Sequence, residues 1–350
     1  MLKIDVHTHI LPEALPDFRM VPGGERFVRL EHQTPGSGRA RMVVNGSVFR
    51  EIDRNAWDVE ARLAECDAAG VDVQILSTVP VMFSYWAQPP QALELARRLN
   101  DHIAGVVAGH PARFAGLGTI PMQAPDLAIR ELERCVRDLG LSGVEIGSNI
   151  NGANLNSPEL FPIFEAAATL NAAVFVHPWE TAGRDRMTRY WLPWLVGMPA
   201  ETSLAVCSLI FGGVLERLPA LRIAFAHGGG AFPATIGRIA HGFEARPDLC
   251  AVVNDVSPRE YLRRIYVDSL VHDPLMLRYL VDLMGPDRIA LGSDYPFPLG
   301  EARAGALIDS CGFPEETRAR LLHGTALEWL DLSAARFGGA VSHRRDSDNR

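Results

Sequence analysis

Apolar residues alternate with Asp5, His7 and His9 across Leu2–His9, a period of two that predicts a β-strand. Short β-rich runs recur at Asp72–Ser77, Phe114–Thr119, Gly143–Gly147, Ala172–His177, Arg222–His227, Arg264–Asp268 and Arg288–Ser293. Helical patterns lie between most of them. Asp58–Ala69 starts on a capping Asp and stops at Gly70. Leu93–Val107, Asp126–Leu139, Ser157–Leu170, Glu201–Leu215, Phe232–Phe243, Pro274–Met284 and Pro314–His323 follow. Alternation of this kind predicts a parallel sheet covered by helices. Eight such units favour α/β architecture of the closed kind, a (β/α)8 TIM barrel.

Two segments break the repeat. Residues 11–56 form an insertion after the first strand, in which Arg41–Val44 and Ser47–Glu51 flank Asn45-Gly46. That dipeptide is a strong hairpin signal, because both turn positions need positive φ. Residues 178–200 hold Trp179, Trp191, Trp194 and three prolines, and read as an ordered loop. Both segments follow the C-terminal end of a strand, where barrel enzymes place their active sites. The expected organisation is one domain over 1–335 and a flexible tail over 336–350.

Composition narrows the class. The chain has 350 residues, 47% of them apolar, and a formal net charge of −8. A minimal barrel needs roughly 250 residues, so about 100 are surplus. Disorder and a basic nucleic-acid footprint are excluded. No signal-peptide core is seen, and no apolar run near the roughly 18 residues that a membrane span requires. Five scattered cysteines without C-x-x-C suit a reducing compartment, so a cytoplasmic enzyme is expected.

The chemistry sits at strand ends. His7 and His9, two apart on a strand, point to one face. His177, His227 and Asp294 close three later strands. Each could be a polar residue at a strand end and no more. Together they converge on one rim, and histidine nitrogens with a carboxylate suit catalytic zinc. His227-Gly228-Gly229-Gly230 also invites a lipase-like oxyanion loop, but no G-x-S-x-G nucleophile accompanies it. The other histidines, His272 among them, carry no assigned role.

An N-terminal H-x-H, two later histidines and a late Asp, in that order, resemble the metal-dependent amidohydrolase superfamily. The stretches from Ser77 to Trp86, Tyr190 to Glu201 and Gly292 to Gly300 resemble the aminocarboxymuconate-semialdehyde decarboxylase family within it. The likeness runs from about residue 3 to about residue 330. It implies a carboxy-lyase with one Zn2+ per subunit that removes CO2 from α-amino-β-carboxymuconate-ε-semialdehyde without oxidation, giving aminomuconate semialdehyde. The setting it implies is tryptophan–kynurenine or related aromatic catabolism, where this step competes with cyclisation to quinolinate. It implies His7, His9, His177 and Asp294 as metal ligands and His227 as catalytic acid/base; on the mechanism expected here, Asp294 is also a candidate proton acceptor. It implies Arg50, Trp191 and Phe297 around a small anionic substrate. It implies a homodimer in which Arg238 reaches the neighbouring site. Glu145 departs from the pattern, standing on the fourth strand where a neutral amide is expected. The reading adopted is a paired polar residue within the barrel rather than a ligand to a second metal. Two alternatives stay open: a benzoate-type decarboxylase or metal-dependent hydrolase of the same superfamily, and a non-catalytic metal-binding barrel.

Overall fold

The computed structural model describes residues 1–34 and 37–338. Thirteen strands occur among them, numbered in chain order: β1 (Ile4–His9), β2 (Arg29–His32), β3 (Arg39–Val44), β4 (Ser47–Asp53), β5 (Val73–Ser77), β6 (Phe114–Gly118), β7 (Gly143–Gly147), β8 (Asn149–Ile150), β9 (Ala153–Asn154), β10 (Ala173–His177), β11 (Arg222–Phe225), β12 (Tyr266–Asp268) and β13 (Ile289–Ala290). Eight make one sheet in the order β1-β5-β6-β7-β10-β11-β12-β13, with parallel pairing throughout. Backbone bonds from Val6 N to Leu291 O (2.8 Å), Asp294 N to His7 O (2.8 Å) and His9 N to Tyr295 O (2.7 Å) join the last strand to the first. The sheet is therefore a closed (β/α)8 barrel.

One extra residue in β1, between Asp5 and Thr8, shifts its register against β5. Strict alternation could not turn Val6 and His7 to the same side; the bulge does so. Val6 joins the axial apolar cluster, and the His7 ring meets Phe175 of that cluster edge-on at 5.0 Å. Trp329 closes the floor of the barrel, fully buried against Phe175 and Tyr266.

The insertion folds as expected around Asn45 (φ 51°) and Gly46 (φ 71°). It is larger than a hairpin, because β2 adds a third antiparallel strand beside β3. Its apolar face packs on Val79, Met82, Leu95 and Leu99, with Phe297 against it, which roofs one side of the barrel mouth.

One expectation needs correction. The 178–200 segment is not all loop: a π-helical turn over Pro193–Gly197 runs straight into the helix Met198–Phe211. Pro199 lacks the N–H of a regular turn, and a wider turn before it accommodates that loss. The resulting helix, Pro193–Phe211, has 19 residues and a mean hydropathy of 1.5, long and apolar enough by those measures to cross a membrane. Here its inner face packs in the barrel core through Ala205, Val206, Leu209 and Ile210. Its buried Glu201 accepts hydrogen bonds from Asn149 Nδ2 (3.0 Å) and Ala182 N (3.0 Å). Most of the expected tail, residues 339–350, lies outside the described residues.

Candidate metal centre and active site

The ends of β1 and β10 bring His7, His9 and His177 together, with ring centroids 5.1–5.3 Å apart. Each ring is fixed from behind. His7 Nδ1 lies 2.7 Å from Asp268 Oδ2, His9 Nδ1 2.8 Å from Thr78 O, and His177 Nδ1 3.0 Å from Pro178 O. Those partners can only accept, so Nδ1 carries the proton and Nε2 keeps its lone pair. The Nε2 atoms of His7 and His9 have no hydrogen-bond partner despite full burial. A buried unpaired nitrogen costs free energy unless something fills its lone pair, so the arrangement fits a metal ion.

Two residues beyond the strands complete the centre. His227 stands two residues past β11 rather than at its end, and Asp294 four past β13. Both have positive φ, 56° and 57°. Ligand atoms of His7, His177, His227 and Asp294 all lie within 4.8 Å of one another. His9 Nε2 lies 3.1 Å from Asp294 Oδ1. The structure thus gathers all five residues singled out from the sequence, and puts His227 inside the group of potential ligands. The glycines after His227 allow a tight approach: a Cβ at Gly228 would stand 2.3 Å from Val271 Cγ1, and one at Gly230 2.4 Å from Pro199 O.

The electrostatics divide these groups. Burial, then the neighbouring histidines, holds His177 well below its usual pKa. Burial also lowers His9, against the opposing charge of Asp294. Burial opposes the charging of His227 as well, but the Asp294 carboxylate 3.9 Å from its Nε2 and the charge of Asp268 outweigh it, so its pKa rises. Burial would raise Asp294, yet contact with His227 and His9 keeps it well below the carboxylate range. His227 is thus the imidazole best suited to hold a proton, beside an ionised carboxylate.

Glu145 contradicts the expectation of a paired residue. It is fully buried, both carboxyl oxygens lack a hydrogen-bond partner, and His9 Nδ1 is 3.8 Å away. Ser77, its polar neighbour, donates instead to Thr8 O at 2.9 Å. Burial, then the charge of Asp294, raises Glu145 well above the carboxylate range.

Two residues escaped the sequence reading. Asp268 ends β12 and is fully buried against His7. Its place at a strand end, shared with His177, was the available signal. Arg62 is fully buried on the helix Val59–Ala69, donates to Gln74 Oε1 (2.9 Å) and to His9 O, and lies 4.7 Å over the Tyr295 ring. A helical arginine carries no sequence mark of such a role.

Above the centre opens a cavity of about 400 Å3, lined by His9, His177, His227 and Asp294 beneath and mostly by apolar side chains around. Arg50 projects into it from β4, 4.3 Å over the Phe297 ring, with no ion pair or hydrogen bond among the described residues. Burial lowers its pKa, against the charge of Asp294. Trp191 and Phe297 both line the cavity, as does His272. Trp194 stands 5.8 Å from Trp191, ring to ring. Arg238 does not line it: it is exposed on the helix Phe232–Ala245, whose Ala234 does.

The sequence profile of the amidohydrolase family matches residues 4–332. A 2-amino-3-carboxymuconate-6-semialdehyde decarboxylase of Dictyostelium discoideum is 58% identical over 337 residues, covering 96% of this chain and 93% of its own. One from Caenorhabditis elegans is 38% identical, covering 94% of each. Among solved structures, a 5-carboxyvanillate decarboxylase from Sphingomonas paucimobilis superposes with a TM-score of 0.75 at 32% identity, over 80% of this chain and 85% of that one.

Proposed function

The chain belongs to the amidohydrolase family, and from that premise we propose that it is a metal-dependent carboxy-lyase converting 2-amino-3-carboxymuconate-6-semialdehyde to aminomuconate semialdehyde and CO2. The observation that carries the substrate is the 58% identity to a decarboxylase of that name, sustained over 96% of the chain. The site supports the chemistry. The Arg50 guanidinium, without an ion pair or hydrogen bond among the described residues, shares one largely apolar cavity with Asp294, whose pKa is lowered, and His227, whose pKa is raised.

His7, His9, His177 and Asp294 would hold the ion, which we take to be one Zn2+ per subunit, since imidazole nitrogens with a carboxylate suit it. When bound, the ion supplies Lewis acidity and lowers the pKa of coordinated water. Arg50 binds a substrate carboxylate, ideally through two parallel N–H···O bonds. Trp191 and Phe297 cover the conjugated chain and keep out bulk water. The C–CO2 bond breaks with its electron pair left on carbon, and a proton from His227 Nε2 takes the place of CO2. Asp294 steadies the charged imidazole before that transfer.

We also read the enzyme as a homodimer. Tyr190, Trp191, Leu195 and Val196 are exposed beside the cavity, and a second copy would cover them. Arg238, exposed on this chain, then serves the partner's site. A single domain over 1–335 and a cytoplasmic location complete the reading; the five cysteines are all free thiols. The decisive assay follows loss of substrate absorbance and CO2 release on enzymatically generated substrate, alongside metal analysis and 5-carboxyvanillate as comparison. Turnover of 5-carboxyvanillate alone would favour a benzoate-type decarboxylase. His227→Ala should keep its metal and lose turnover. Mixed His227→Ala and Arg238→Ala subunits should regain activity; no recovery after proven subunit exchange counts against the shared site.

A further inference from the structure

We infer that Asp268 is a positioning residue that ties the His7 metal ligand and the His227 backbone to one carboxylate, so that metal affinity and placement of the proton carrier depend on the same side chain. Four donors converge on its two oxygens. Oδ2 accepts from His7 Nδ1 (2.7 Å) and from His227 N (2.9 Å). Oδ1 accepts from Gly228 N (2.8 Å) and Leu270 N (3.1 Å). The carboxylate is fully buried and does not line the substrate cavity. It therefore acts through its neighbours.

Only an ionised carboxylate satisfies this pattern. An amide in either orientation turns its NH2 toward two donors. With NH2 facing His7, Nδ1 must become the acceptor, and the ring proton moves to Nε2, where it blocks the lone pair meant for the metal. With NH2 facing Gly228 and Leu270, both backbone donors lose their partner. Those bonds hold His227 at φ 56° and Gly228 at φ 63°, in the left-handed region that a histidine rarely adopts. Without them, the turn that presents His227 relaxes.

The kinetic part rests on the decarboxylase reading; the metal part does not. Asp268→Asn apo-protein, titrated with Zn2+ against a chromophoric chelator, should bind about 10- to 100-fold more weakly than wild type. Turnover of the zinc-saturated variant should fall through kcat with KM nearly unchanged. Asn254→Ala serves as the structural control: Asn254 is buried and bonds Ile210 O and Tyr261 Oη, away from the metal. It should lower the melting temperature and leave zinc affinity unchanged. A measurement on wild type alone avoids any folding failure: the 15N shifts of apo His7 should report the Nδ1–H tautomer. Zinc affinity of Asp268→Asn within threefold of wild type, or an Nε2–H tautomer in the wild type, overturns the inference. Inactive wild-type protein with the zinc and tautomer results intact overturns the proposed reaction instead.

Discussion

Replacing Arg50 with methionine tests whether the substrate is an anion held by this side chain. Met keeps the apolar stem against Phe297 and removes the guanidinium that lies 4.3 Å over that ring. A charge-assisted hydrogen bond contributes about 1.5–3 kcal/mol, and a bidentate pair adds a second. Allowing for desolvation, the loss of transition-state binding should be about 2–4 kcal/mol. At about 1.36 kcal/mol per tenfold, that is roughly 30- to 1000-fold in kcat/KM. Stability should behave differently. The partly buried guanidinium has no ion pair or hydrogen bond among the described residues, so removing it relieves a desolvation cost, while losing the cation–π contact forfeits about 0.5–2 kcal/mol. These effects oppose, so the melting temperature should stay within a few degrees of wild type. The assay is the continuous loss of substrate absorbance at saturating metal, beside a thermal melt. A kcat/KM within threefold of wild type, with the melt unchanged, would refute an anion-binding Arg50.

Other outcomes follow from burial and charge. Trp329→Ala empties the barrel floor and should cost about 3–5 kcal/mol in urea unfolding, with a loss under about 1 kcal/mol contradicting its role as a plug. The metal-free protein should lose stability in acid. His9 and His177 have folded pKa values below the unfolded value of 6.5, so the unfolded chain binds more protons as the medium acidifies. Their contribution is fully present above about pH 6.5 and is lost as pH falls toward the folded values; apo melts that do not fall between pH 7 and 5 would deny it.

The barrel was legible because each strand is short, apolar and bounded by a helix, and Asn45-Gly46 announced its turn outright. The five residues of the candidate site were legible because they recur near one position, the strand end. Position alone did not foretell that His227 and Asp294 would stand past their strands in left-handed backbone, since neither is glycine. The start of the helix at Pro193 was masked by its two prolines, which read as loop punctuation until a π-turn absorbed them. Strand β2 carries charged residues on an exposed edge and offers little apolar alternation. Glu145 and Arg62 depend on the third dimension. Their partners, or lack of them, come from distant strands.

The seam between the last strand and the first has a bearing on how the enzyme is made. Asp294 N donates to His7 O, and the two side chains belong to one cluster of potential metal ligands although nearly the whole chain separates them. Translation at about 5–20 residues per second puts roughly 15–60 s between their appearances at the ribosome. During that interval the N-terminal histidines have no carboxylate with which to share an ion. On the ligand set proposed above, metal capture waits for the eighth strand, and a chain stalled before it should bind the ion more weakly.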